Sequence, residues 1–100
     1  MIVAHVDFKV AEADREKVLE VLLDQVPTVR SMPGCNRFVP FQDTTRDGGI
    51  GVMHEWTDRP AFDAYLASAS FQESGKVIRP LMLVPPVSKR FEVVEIETRE

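Results

Sequence analysis

Scarce residue types bound what this chain can do: among 100 residues it has one cysteine, one tryptophan, one tyrosine and two histidines. The lone Cys35 rules out an intrachain disulfide and fits a reducing cytoplasm. Two histidines and dispersed acids supply no metal-ligand spacing, so no metal is expected. There is no glycine-rich phosphate loop either, because the pair Gly48-Gly49 sits in turn-forming sequence. Lysine and arginine form no basic block, and 12 bases against 16 acids leave a net charge of −4, which argues against nucleic acid. No apolar run nears the ~20 residues of a membrane span. Met1-Ile2-Val3-Ala4 reads as the opening of a strand rather than a signal peptide.

What is present is ordinary for a globular protein, with 44% hydrophobic and 28% charged residues. The length suits a single domain over residues 1–100, since no linker, repeat or low-complexity segment interrupts it. A domain of this size buries only about two-thirds of its unfolded surface, so pairing with a second copy is a useful source of extra burial.

Periodicity supplies the elements. In IVAHVDFKV, residues 2–10, the set Ile2, Ala4, Val6, Phe8 and Val10 alternates with Val3, His5, Asp7 and Lys9, which predicts a strand. Asp14 suits a helix N-cap, and Val18, Leu19, Leu22, Leu23, Val26 and Val29 recur at helical spacing. Pro27 is expected to kink that helix or end its regular part, and Pro33-Gly34 to turn the chain. Residues 35–42 predict a second strand with Pro40 at an edge or bulge, and residues 50–56 a third, pairing antiparallel across the 43–49 connection. Asp58 caps the next helix, with Phe62, Tyr65, Leu66 and Ala69 on its buried stripe. A capping box from Ser70 to Glu73 restarts helix to about Leu83, and residues 87–97 form the last strand.

The order β-α-β-β-α-β, its second helix broken, predicts an α+β, ferredoxin-like fold with a four-stranded antiparallel sheet. Both sheet faces carry apolar residues: Val3, Val39, Phe41, Phe91 and Val93 lie outside the helix-facing set or alternate with it. A second copy of the same chain is the partner that such a face calls for.

The run VPTVRSMPGCNRF, residues 26–38, followed by GVMHEWTDRPAFDAYLASASFQ, residues 51–72, resembles the antibiotic biosynthesis monooxygenase family of the dimeric α+β barrel superfamily. The QVPTV run, residues 25–29, with Gly34, Cys35 and Pro40, is most similar to the family's quinol monooxygenase-like members. The resemblance implies a homodimer whose sheets close into a barrel, with a pocket between sheet and helices in each subunit. It also implies oxidation of a small aromatic, polyketide or quinol substrate by oxygen with no metal or prosthetic group. The chain departs from the family where Tyr65 and Ser70 stand in place of histidines common in members. Val6, Tyr65 and Gly75 occupy the places of the haem-degrading branch's functional residues, so haem degradation does not fit.

These features select the candidate residues. Trp56, Phe38, Asn36, Phe62 and Phe71 are expected to bind substrate, with Tyr65 holding an oxygen and His54 acting as base. Val52, His54 and Trp56 share a strand face, whereas Met53 and Glu55 share the other. A structural role competes at each position: a lone strand histidine is commonly hydrogen-bonded packing, and a single tryptophan at a strand–helix corner is commonly core. Two other functions also fit, an isomerase moving a proton on a small keto metabolite and a non-catalytic ligand-binding dimer module.

Overall fold

Alternation in the first strand sets the layout. The computed structural model describes all residues, Met1–Glu100. Strand β1 (Ile2–Lys9) leads through a short 3-10 turn to helix α1 (Arg15–Arg30). Then come β2 (Cys35–Gln42), β3 (Gly49–Trp56), α2 (Arg59–Leu66), α3 (Ala69–Ile78), a second 3-10 turn and β4 (Val87–Glu92). The strands form one antiparallel sheet in the order β2-β3-β1-β4, the ferredoxin-like arrangement expected of this element order.

Helices cover one sheet face. Ile2, Ala4, Phe8 and Val10 from the β1 segment join Ile50, Val52 and Trp56 from β3 in the core. Against them pack Val18, Leu22 and Val29 of α1, Phe62 and Tyr65 of α2, and Ile78 of α3. Arg30, at the end of α1, donates from Nε and Nη2 to the Phe38 carbonyl at 3.2 and 3.0 Å, which ties the helix end to the edge strand β2.

Several boundaries differ from the sequence expectations, each for an identifiable reason. Asp14 makes no side-chain cap, because it is held in the 3-10 turn Glu12–Asp14 with helical backbone angles. Helix α1 runs through Pro27 to Arg30. Pro27 and Leu23, whose carbonyl Pro27 cannot bond, are both on the solvent side, where water can replace the missing donor. Leu23 is accordingly 57% exposed rather than part of the buried stripe. The break between α2 and α3 is capped by Ser68, whose hydroxyl accepts from the Phe71 N–H at 3.2 Å. Ser70 lies inside α3, buried and hydrogen-bonded to Gln25 of α1, and Ala69 is exposed as the first residue of α3. Strand β4 stops at Glu92 because its partner Ile2 is the first residue of β1, so little of β1 remains to pair with residues 93–97.

The uncovered face stays apolar. Val3, Val39, Phe41 and Met53 are only half-buried there, and Phe91 is 46% exposed, with the His5 ring against its edge at 5.7 Å. Val94 and Ile96, beyond β4, are 88% and 97% exposed. No helix is long and apolar enough to cross a membrane.

Candidate functional site: an aromatic-walled cavity under the helices

Register puts the site chemistry on the helix side of β3. His54 pairs with Ala4 of β1 and Phe38 of β2, and Trp56 pairs with Ile2 and Cys35. Side chains directly paired across antiparallel strands point to the same face, so Phe38 joins His54 under the helices. A bulge between Cys35 and Arg37 changes the parity of β2. Asn36 is the unpaired residue there, exposed, with its side-chain oxygen accepting from Thr57 Oγ1 at 3.4 Å. It therefore stands away from the cavity, and Cys35 shares the face of Trp56 rather than that of Arg37.

Helix α2 brings the aromatic residues down onto this row. Asp58 accepts from the Ala61 N–H at 2.9 Å and Pro60 occupies the first turn, so Phe62 and Tyr65, three residues apart, face the sheet. Tyr65 stacks on Trp56 with ring centroids 5.1 Å apart and planes 25° from parallel. Phe71, delivered by the Ser68-capped start of α3, meets Tyr65 edge-on at 5.3 Å. The His54 ring lies 5.6 Å from both Phe62 and Tyr65 and 5.7 Å from Phe38.

Between sheet and helices lies a cavity of about 180 Å³. His54, Tyr65, Phe62 and Phe71 form part of its wall, and the rest is largely aliphatic, from β1, α1 and α3. Trp56 and Phe38 do not reach it. They are 0% and 1% exposed and form the layer behind His54 and Tyr65. Of the seven candidate residues, four therefore meet at the cavity.

The polar groups of this wall are few and unusual. His54 is 3% exposed, and its Nδ1 accepts a 2.8 Å hydrogen bond from the indole Nε1–H of Trp56. An indole nitrogen only donates, so Nδ1 carries no proton and the neutral ring carries its proton on Nε2. That Nε2 has no hydrogen-bond partner in the protein, although the His54 ring lines the cavity. Burial pushes the His54 pKa down to about 4, with the charges of Arg90 and His5 acting in the same direction. Burial also holds the Tyr65 phenol well above the usual range, with a smaller contribution from Cys35. Both groups are thus uncharged near neutral pH, and both present a hydrogen rather than a negative charge.

Two arginines outside the set of candidate residues also belong to this wall. Arg90 pairs with Ala4, which puts it on the helix-facing side of β4. Its guanidinium carbon sits 5.1 Å from the Phe62 ring centroid, and its Nε donates to Ser88 Oγ at 3.2 Å. Arg79 reaches the rim from the turn after α3. Strand alternation carried the signal for Arg90, since Phe91 and Val93 occupy the opposite face. No aspartate or glutamate lines the cavity, and no three His, Cys, Asp or Glu side chains converge as metal ligands.

The fold has well-matched relatives. A candidate antibiotic biosynthesis monooxygenase from Deinococcus radiodurans superposes with a TM-score of 0.89 at 15% identity, covering 100% of this chain and 99% of that one. Another, from Caulobacter crescentus, gives a TM-score of 0.88 at 24% identity over 94% of this chain and 90% of its own. The uncharacterized protein sll1783 of Synechocystis is 25% identical over 92 residues, which is 92% of this chain. The chain spans 63% of that relative's length. Residues 1–76 match the sequence model of the antibiotic biosynthesis monooxygenases, and the chain belongs to that family.

Proposed function

We propose that this protein is a cofactor-independent monooxygenase that oxidises a small aromatic or quinol-type substrate in the cavity beside His54. The observation that carries this reading is the unpartnered Nε2–H of a buried, neutral histidine on the wall of an apolar cavity. A fixed donor in a water-poor site stabilises negative charge as it develops on a substrate oxygen. Family membership supports the same class of chemistry.

In the proposed reaction the ring ionises, gives one electron to oxygen, and recombines with the resulting superoxide to form a carbon–peroxide bond. Cleavage of the O–O bond, with loss of the ring C–H proton and proton uptake by the departing oxygen, leaves a carbonyl where a ring C–H stood and releases water. The substrate supplies all four electrons and loses two hydrogens; one oxygen atom enters it and the other leaves as water. His54 holds the substrate oxygen as a donor, which replaces the base role expected from sequence. Tyr65 offers a second hydroxyl, while Phe62 and Phe71 enclose the ring. The substrate proton goes to water at the cavity mouth.

An isomerase needs a group in the cavity that takes and returns a proton. The wall has no carboxylate, and His54 already spends Nδ1 on Trp56, so the cavity disfavours that alternative.

We infer further that two copies pair through the uncovered sheet face. Val3, Val39, Phe41, Met53 and Phe91 form an apolar patch there. Light scattering at several concentrations should give twice the monomer mass, and Phe91→Lys should shift it toward monomer.

The activity is tested with an oxygen electrode and a panel of quinols and phenols, using protein dialysed against chelator. Substrate-dependent oxygen uptake that falls at least about 10²-fold in His54→Ala supports the oxygenase. Unchanged oxygen consumption across the panel overturns it.

A further inference from the structure

We propose that the ligand of this cavity is a single aromatic ring bearing a carboxylate, with the ring enclosed and the carboxylate held at the mouth by Arg79 and Arg90. The proposal rests on the cavity being the ligand site of the oxygenase reading, but not on the oxygen chemistry.

Size comes first. An engineered apolar cavity of about 150 Å³ accommodates benzene. The volume here, about 180 Å³, therefore encloses one substituted ring, and any longer substituent must extend toward the mouth.

Charge gives the substituent its sign. The chain as a whole is acidic, with 16 acids and 12 bases, yet this wall holds two arginines and no acid. The ion pairs of the protein lie elsewhere and occupy Arg15, Arg59 and Arg99. Arg30 spends its donors on the Phe38 carbonyl. Arg79 donates to no protein acceptor, and Arg90 uses only Nε, on Ser88, which leaves both its terminal nitrogens free. Two cationic forks without counter-ions in the lining of one cavity match a carboxylate, which accepts such donors.

Preorganisation strengthens the match. The Arg90 guanidinium is stacked over Phe62, itself 1% exposed, so the ring that walls the cavity also orients the cation. A carboxylate bound there extends the row from Arg90 to the neutral His54, whose Nε2–H meets an oxygen at the other side of the ring.

Calorimetric titration with 4-hydroxybenzoate and its neutral isostere 4-hydroxybenzamide tests the proposal. We expect the acid to bind at least about tenfold more tightly, with an advantage that shrinks as salt is raised. Arg90→Gln and Arg79→Gln should each weaken the acid severalfold and the amide markedly less, so that the acid's advantage shrinks. Equal affinity for the two compounds, no detectable binding of either, or an acid preference that survives the double arginine variant overturns the proposal. The readout contains no oxygen, so the two claims fail separately. Acid preference without oxygen uptake removes the oxygenase alone, and quinol turnover without acid preference removes the carboxylate alone.

Discussion

Trp56 and His54, two residues apart on one strand, are joined side chain to side chain by a 2.8 Å hydrogen bond from the indole Nε1–H to Nδ1. Residues i and i+2 of a strand point to the same face, so the pairing needs no help from another element. Its chemical effect is to select a tautomer: the ring nitrogen left for the cavity is the protonated one. The relationship turns a residue that looks like a general base into a fixed donor.

Acid should destabilise the fold through His54. Its pKa falls from 6.5 to about 4 on folding, so between those values the unfolded chain binds a proton that the native state refuses. The neutral-ring contribution is whole above pH 6.5 and is lost as pH falls toward 4. The loss amounts to about 3 kcal/mol. Urea melts from neutral to acid pH should show His54→Gln with a shallower decline than the parent by roughly that amount; parallel profiles would contradict the assignment.

Removing the indole donor should release the tautomer. Trp56→Phe leaves an aromatic ring in the core but deletes the N–H and half the bicycle, at a cost of about 2 kcal/mol in urea denaturation. Nitrogen NMR of the His54 ring should then report protonation at both positions, averaged. A single Nε2–H form in the variant would mean that another group sets the tautomer.

The helix break depends on Ser68. Ser68→Ala removes the acceptor for the Phe71 N–H and should cost about 1 kcal/mol. Glu73→Ala, which would matter if Ser70 were the cap of a capping box, should change stability by less than about 0.5 kcal/mol because Glu73 is exposed. The reverse ordering in denaturant melts would move the cap to Ser70.

Gly48 is held by the hairpin's need for a left-handed residue. Its φ is +69°, and an added Cβ would lie 2.0 Å from the Val10 carbonyl oxygen, a backbone atom with little room to yield. Gly48→Ala should therefore cost about 3 kcal/mol, counting both the backbone conformation and the clash. A thermal melt within a degree or two of the parent would show that the turn rearranges freely.

The fold was largely legible because its signals are local and repeated: period two in β1 and β3, helical spacing in α1, and Asp58 with Pro60 opening α2. The sites that misled are those where one residue changes the count. The bulge at Asn36 shifts β2 by one position, so parity placed Asn36 beside Phe38 although the structure exposes it. Ser70, the expected cap, lies inside α3 with its hydroxyl used by the tertiary hydrogen bond to Gln25, and Ser68 caps the helix instead. In the site, alternation correctly put His54 and Trp56 together, but composition could not reveal which nitrogen of His54 the indole would take. Arg90 was readable from β4 alternation, whereas the position of Arg79 at the rim depends on how the turn after α3 folds back.

The most direct test of the donor role of His54 is long-range nitrogen–proton NMR of its imidazole ring, followed from about pH 8 to about pH 5. We expect an unprotonated Nδ1 and a protonated Nε2 that do not change across that range, as a pKa of about 4 requires. A proton on Nδ1, or titration near the ordinary value of 6.5, would mean that His54 faces the cavity as a base.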